Sequence, residues 1–579
     1  MRRLSIQALQ ERIPWIMWPI GRVDALLTPR RWAPGPLQAP ATRLSNALAA
    51  DSRPVTSALR RLLSWMGTAR SAVLRDRPAL QRAAWWVRRH VWGAIWSFII
   101  VMRLWPRRVP VPRPRDTDIR LIPAPESYDD FRSPSLVVPS DVPHAEMTLP
   151  GAMTVQLLHL LQDLYPIVAS HQPEAPTDPL KRLEGAYSWM YRLVRTPPAW
   201  HPDLEAARRQ GRLLDALAVG GPFAKLLERS GARDYVIDLE YLRHYPVRPG
   251  LTRLGCTIRY ADETTSVRVT GVEHNGHLVT PGDTRWPLAE RIALCSLATH
   301  TTVWRHGMQY HVGGVAPFAV VTHQLPHTHP LRRLLTPHTA DTLSTNFHTH
   351  LTLRRSGFDV IGFSFPYDTI LRYYDDGARY FDIRRLDPRS DSSQRGIGDD
   401  LEYPHRAQAA RYFDVFEGYV REYLGHYYPD DGALAQDAAV RGWFAALDAQ
   451  VVRGITGYAP VLTRECLTKL CALFLYSVSV EHEDNTLWNY AAFLPATVRE
   501  DGGGESVGQV QAVMNFEMLI ASATNRLMKD SSHVALDPAG AAIMQGFQSR
   551  LARLQEEMQR EPDRYWRILP RELEASVSA

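Results

Sequence analysis

The chain has 579 residues, 45% of them apolar, 22% charged and 9% aromatic, which excludes a largely disordered, collagen-like or multi-span membrane protein. Four scattered cysteines (Cys256, Cys295, Cys466, Cys471), with no CxxC pair, exclude a disulfide framework and a zinc knuckle. The net charge of +6 is unevenly held: residues 1–115 carry 21 Arg, no Lys and four acids, a local +17 that leaves about −11 on the remainder.

That basic stretch also holds nine of the sixteen Trp. Arg with interspersed Trp suits an anionic membrane surface, where indole sits at headgroup level and guanidinium meets phosphate. We read residues 1–115 as a helical segment that docks on a membrane or lies over the main domain as a lid. The same residue types serve nucleic acid, which is not the expected partner. The run His90 to Met102 has no formal charge but, as a helix, reaches only about 20 Å against a bilayer core of about 30 Å. Glu11 and Arg12 interrupt any secretory apolar run, so export is not expected and a cytoplasmic location, peripheral to membrane, is. Pro106 to Pro114 reads as a stiff extended linker, continued by Pro-rich residues 116–150.

Residues 151–579 read as one folded unit. Helical spacing marks 152–230, as at Met153 to Leu161, until alternation takes over at Tyr235–Leu239, Cys256–Tyr260 and Ser266–Gly271, with Asn275-Gly276 as turn chemistry. A small sheet is expected there. Helices are expected thereafter at 286–311, 330–355, 405–428, 433–455, 463–490, 508–530 and 537–560. The fold class is therefore mainly α with a small β subdomain.

Nine of the 21 histidines fall between residues 300 and 350: His300, His306, His311, His323, His327, His329, His338, His348 and His350. An even spread would put about two there. Neutral imidazole is the commonest transition-metal ligand, and with carboxylate or carbonyl oxygen it suits iron with open positions, although zinc or manganese would accept the same donors.

The stretch from His306-Gly-Met-Gln-Tyr-His311 through Pro317-Phe318, Thr322-His323, Leu325-Pro326, His329-Pro330 and Leu334-Leu335-Thr336-Pro337-His338 to Asn346 resembles the iron-binding region of lipoxygenases. Tyr403-Pro-His-Arg, Phe413 to Asp431 and Gly442-Trp443-Phe444 are similar to the next block of that family, and Leu467 to His482 to the helix that supplies a further iron-binding His. The resemblance covers residues 150–579. It implies a large lipoxygenase-like helical catalytic domain without the N-terminal β-barrel of many relatives.

It also implies one non-heme iron per chain, held by two His of a central helix, by His482, by a residue one turn beyond it, and by the terminal carboxylate, here Ala579. Two His five residues apart lie about 140° apart round an ordinary α-helix, so the family widens that turn. His306 and His311 have that step. Counted from Trp286 and Pro317, however, His306 falls at the family's second ligand and the first falls at Thr301, beside His300; His306 therefore pairs with either His300 or His311. Beyond His482, Thr486 stands where the family has Asn, and Asn485 lies one place before it, on the same face as His482. His323, His329 and His338 are expected to pack and hydrogen-bond rather than to ligate.

The activity implied is insertion of O2 into a polyunsaturated fatty acid or similar lipid to give a hydroperoxide. No catalytic side chain is expected beyond the metal and its hydroxide. Asn346, Thr349, His350, Thr486 and Asn489 are expected near the substrate; Thr349 replaces a small residue and His350 a common Arg. Those departures leave room for another apolar substrate, a secondary metabolite or an already formed hydroperoxide, and for a metal-free relative that binds lipid or a partner. A monomer is expected.

Overall fold

The computed structural model describes residue 77 and helical positions between 79 and 97, then 109–114, 174–186, 201–346, 363–378, 381–487, 490–520 and 525–577. Most of the basic segment, the linker 116–150, and the helix expected from Met153 lie outside the described residues. Residues 109–112 are not a free spacer: Val109 and Pro112 are buried, and His533 Nε2–H donates to the Val109 carbonyl at 2.9 Å. No helix among the described residues is long and apolar enough to cross a membrane.

The expected sheet is a five-stranded antiparallel meander, β1 (Glu228–Arg229), β2 (Asp234–Asp238), β3 (Thr257–Glu263), β4 (Ser266–His274) and β5 (His277–Val279). Alternation buries Tyr235 and Ile237 of β2, Ile258 and Tyr260 of β3, and Val267 and Val269 of β4. A bulge between Arg259 and Tyr260 shifts the phase, so that Val272 also turns inward. Asn275 and Gly276, with φ of 51° and 75°, close the β4–β5 hairpin as their left-handed tolerance allows.

From the sheet the chain enters a central helix: α-helical over Trp286–Thr299, π-helical over His300–Val315, and α-helical again over Ala316–Gln324. It outruns the expected end at residue 311. Pro317, whose missing N–H ends most helices, sits where hydrogen bonding changes from five- to four-residue steps and one donor is dispensable. The helix links two hydrophobic cores. Its first half, from Ala289 to Val303, packs with the sheet, Tyr373 and Leu487. Its second, from Met308 to Val321, packs with the helices Pro404–Tyr427, Arg464–Tyr476 and Pro538–Arg560 and with the C-terminal tail. Trp304 touches both.

Other expected helices are shorter than their periodicity suggests. The one begun at Pro330 ends at Thr339, because Asp341 takes φ of 62°, and a further turn covers 342–346. Asp437 divides 433–455 by capping Ala438–Gln450 through the N–H groups of Ala439 and Val440. The helix 463–490 stops at Asn485, and 508–530 is observed as Val507–Ile520.

Candidate metal centre

Among the described residues two helices carry π-type segments, His300–Val315 and Ser477–Glu481, and they face each other. Widened turns of this kind are rare and cluster at functional sites. Widening brings a five-residue step closer to one face. His306 and His311 consequently point the same way, toward His482, the residue immediately after the second π segment.

The three imidazoles form a buried group whose ligand atoms lie within 4.8 Å of one another. His311 Nε2 is 3.1 Å from His306 Nε2 and 3.1 Å from His482 Nε2. With bonds of about 2.1 Å from each nitrogen to an ion, such edges subtend roughly 95°, near the angle between adjacent ligands of an octahedron. Burial, and then the neighbouring imidazoles, push the pKa values of His306 and His482 well below the ordinary range, so both are neutral and able to donate lone pairs. The tautomer of His311 follows from Asn346. The Asn346 amide N–H donates to the His311 carbonyl at 2.9 Å, which turns its oxygen toward His311 Nδ1, 2.8 Å away. Nδ1 must then carry the proton, and Nε2 presents a bare lone pair to the centre of the group.

Three residues beyond His482, Asn485 carries a buried amide oxygen. Its side-chain N–H donates to the Glu481 carbonyl, while its own Oδ1 is fully buried with no hydrogen-bond partner. A buried amide oxygen without a donor is costly in a dry interior, and a cation would satisfy it. The three imidazoles fit a borderline divalent metal.

The C-terminal tail enters the same interior. Leu573, Glu574, Ala575, Ser576 and Val577 are all buried. His338 Nδ1–H donates to the Ala575 carbonyl at 2.8 Å, and Asn525 holds the tail twice, its side chain donating to the Ser576 hydroxyl (3.0 Å) and its backbone carbonyl accepting from the Ala575 N–H (2.7 Å), while the same amide also donates to the Pro337 carbonyl (2.6 Å). Burial holds His338 down to about 4, so it stays neutral in this role.

Charged groups lie close to the centre, and His482 also belongs to a second buried group with Glu483 and Glu574, whose ligand atoms lie within 4.8 Å of one another. Glu481 is buried against Lys225 and Arg305; burial alone would raise its carboxyl, but these cations prevail and hold it down to about 2. Glu517 accepts the Leu487 N–H at 2.5 Å and accepts from the Thr302 hydroxyl at 3.5 Å; burial, with the nearby Glu483 charge, pushes it up to about 8.

The remaining expected residues fall elsewhere. His300 does not reach the group: its Nδ1 meets the Tyr241 hydroxyl, its ring stacks on Trp304 at 5.1 Å, and burial holds it down to about 3. A six-residue step turns it away even through a widened turn. Asn346 orients a histidine, and Thr486 is buried beside Asn485 with its N–H donating to the Glu483 carbonyl at 3.1 Å. Thr349, His350, Asn489 and Ala579 lie outside the described residues. His323 donates to the Ala319 carbonyl and His329 meets Asp437 at 3.0 Å. Sequence reasoning passed over Glu481, although an acid at the end of the apolar run Leu470 to Val480 is itself a signal of a buried partner.

The profile of the family described as Lipoxygenase matches residues 263–498. Linoleate 9S-lipoxygenase 1 of Hordeum vulgare is 29% identical over 232 residues, 36% of this chain and 26% of that protein. Hydroperoxide isomerase ALOXE3 of Homo sapiens is 27% identical over 170 residues, 28% of this chain and 24% of that protein. These alignments span about a quarter of the curated relatives' length. In fold, the chain is similar to coral 8R-lipoxygenase, with a TM-score of 0.61 at 14% identity over 76% of each chain.

Proposed function

We propose, from the premise that this chain belongs to the lipoxygenase family, that it is a non-heme iron dioxygenase that inserts O2 into a polyunsaturated fatty acid or similar lipid to give a hydroperoxide. The observation that carries this reading is the convergence of His306, His311 and His482, three buried imidazoles at the facing π segments of two buried helices. His306, His311 and His482 would hold one iron, with the Asn485 oxygen as a weaker donor and the terminal carboxylate of Ala579 completing the set; His300 has no part in it. The His306–His311 step is the one the family uses; the departure is Asn485, which lies one place before the position where the family has Asn. Bound there, iron supplies abstraction of a hydrogen atom from a doubly activated methylene and the subsequent oxygenation.

The chain's own residues prepare that chemistry. Asn346 keeps the His311 proton on Nδ1, so the donor nitrogen stays free. The two flanking hydrophobic cores keep the surroundings of the three imidazoles apolar. His338 and Asn525 hold Ala575 and Ser576 in the interior. Residues 1–115 would serve as peripheral membrane contact or lid.

Metal analysis of the purified full-length chain, with conjugated-diene absorbance on linoleate or arachidonate under O2, tests this reading. About one iron per chain with diene formation is expected; a chain that takes up no iron overturns it. A second reading, in which an already formed lipid hydroperoxide is the substrate, draws on the likeness to the hydroperoxide isomerase. Iron-dependent loss of added hydroperoxide without diene formation from free acids would select it.

A further inference from the structure

Each of the three histidines is preceded by a residue that bonds to the other two such residues. Arg305 comes before His306, Tyr310 before His311 and Glu481 before His482. The Tyr310 hydroxyl donates to Glu481 Oε2 at 2.5 Å, and Arg305 Nη2 donates to the Tyr310 oxygen at 3.1 Å and to Glu481 Oε2 at 3.3 Å. All three are buried, at 3%, 0% and 1% exposure. Lys225 pairs with the other Glu481 oxygen, and Arg305 Nη1 donates to the Pro222 carbonyl at 2.5 Å, which ties the cluster to the short helix Pro222–Leu226.

Two triads therefore run side by side on the same three stretches of backbone, one of imidazoles and one of hydrogen-bonded polar groups. Adjacent residues of a helix keep a fixed angle about its axis, so the spacing of one triad constrains that of the other. A buried ion cluster is a poor device for stability alone, because hydrophobic residues of similar volume often serve as well. It does specify geometry, since its directional bonds are satisfied at one approach of the two π segments. We propose that Arg305, Tyr310 and Glu481, with Lys225 as counter-charge, are positioning residues that set the separation of His306, His311 and His482 and thereby the affinity and symmetry of the metal bound there. This inference rests on the reading of those histidines as metal ligands.

The test uses the full-length chain and two variants, Tyr310→Phe, which removes one hydroxyl from a buried ring, and the double variant Lys225→Met/Glu481→Gln, which removes a pair of opposite charges together. Iron(II) affinity is measured by chelator competition, and the ferric centre by electron paramagnetic resonance. Weakening of about tenfold or more, of the size that groups supporting metal ligands typically contribute, is expected with an altered ferric spectrum in both variants. Wild-type affinity and spectrum in both, whatever happens to their melting temperatures, would overturn the clamp and leave the metal centre standing. A wild-type chain that binds no iron would remove the metal reading, and the clamp with it.

Discussion

The side chain of Asn346 holds His311 at two points, donating to its backbone carbonyl at 2.9 Å and accepting from its Nδ1 at 2.8 Å. This pairing fixes both the ring and its proton. Asn346→Ala should let His311 rotate and move its proton to Nε2, weakening iron binding by about 10- to 100-fold with little loss of helix content. Asn346→Asp should be intermediate, because a carboxylate accepts from Nδ1 but repels the carbonyl. Chelator competition on both variants checks the order; equal affinities for wild type, N346D and N346A would refute it.

The tail depends on His338 in the same way. Substituting Ala leaves the buried Ala575 carbonyl without its donor, which costs about 1–3 kcal/mol. Asn525 still holds the neighbouring residues, so His338→Ala should fold but release the chain end more often. Faster trimming by carboxypeptidase, with a parallel fall in bound iron, is the expected pair of results. Unchanged trimming would show that Asn525 suffices.

Gly314 tests the widened helix itself. A Cβ there would sit 2.8 Å from the Gln309 carbonyl, the oxygen five residues back that a π turn brings close. Gly314→Ala should therefore push the segment toward α-helical winding, cost about 1–3 kcal/mol, and swing His306 and His311 apart. Calorimetry and iron content report the two consequences separately; loss of neither would mean that the turn tolerates a methyl group.

For the basic segment the expected partner is an anionic lipid surface. Among the described residues, Leu80, Trp86 and Val87 are exposed at 44%, 62% and 49%, with positions 80 and 87 two turns apart on one helical side. Trp86→Ala with Leu80→Ser should reduce flotation with phosphatidylserine vesicles and leave the solution fold unchanged. Flotation equal to wild type would assign the segment to lid or packing instead.

Much of this was legible in the sequence, and the exceptions have physical causes. The meander was visible because β2, β3 and β4 alternate and Asn275-Gly276 is a strong turn. The five-residue step of His306 and His311 was visible as well, but choosing between His300 and His311 required the winding of the helix, where a Cβ at Gly314 would crowd the Gln309 carbonyl and touch Phe381. Asp341 broke an expected helix by adopting a left-handed conformation that periodicity cannot register. His338 and Asn346 matter through partners 237 and 35 residues distant, and no local pattern encodes such pairings.

Glu517 gives the pH prediction. Its carboxyl rises from 4.5 to about 8 in the folded chain because burial disfavours the charge, whereas in the unfolded chain it ionises at the ordinary value. Between those two pH values the folded state binds more protons than the unfolded one, so this group makes stability fall as pH rises from about 4.5 to about 8, and adds no slope beyond. His300 and His338, held down to about 3 and about 4, act in the opposite sense, since the unfolded state binds their protons first as pH falls through the ordinary histidine value. Comparison with Glu517→Gln separates the two. Glutamine can still accept the Leu487 N–H and can donate to Thr302, but it does not titrate. The melting temperature of the variant minus that of wild type should therefore grow from pH 5 to pH 8.5, by an amount worth a few kcal/mol in stability, and then level off. A difference that stays constant across that range would mean that Glu517 is already ionised at pH 5 and that a counter-charge offsets its burial.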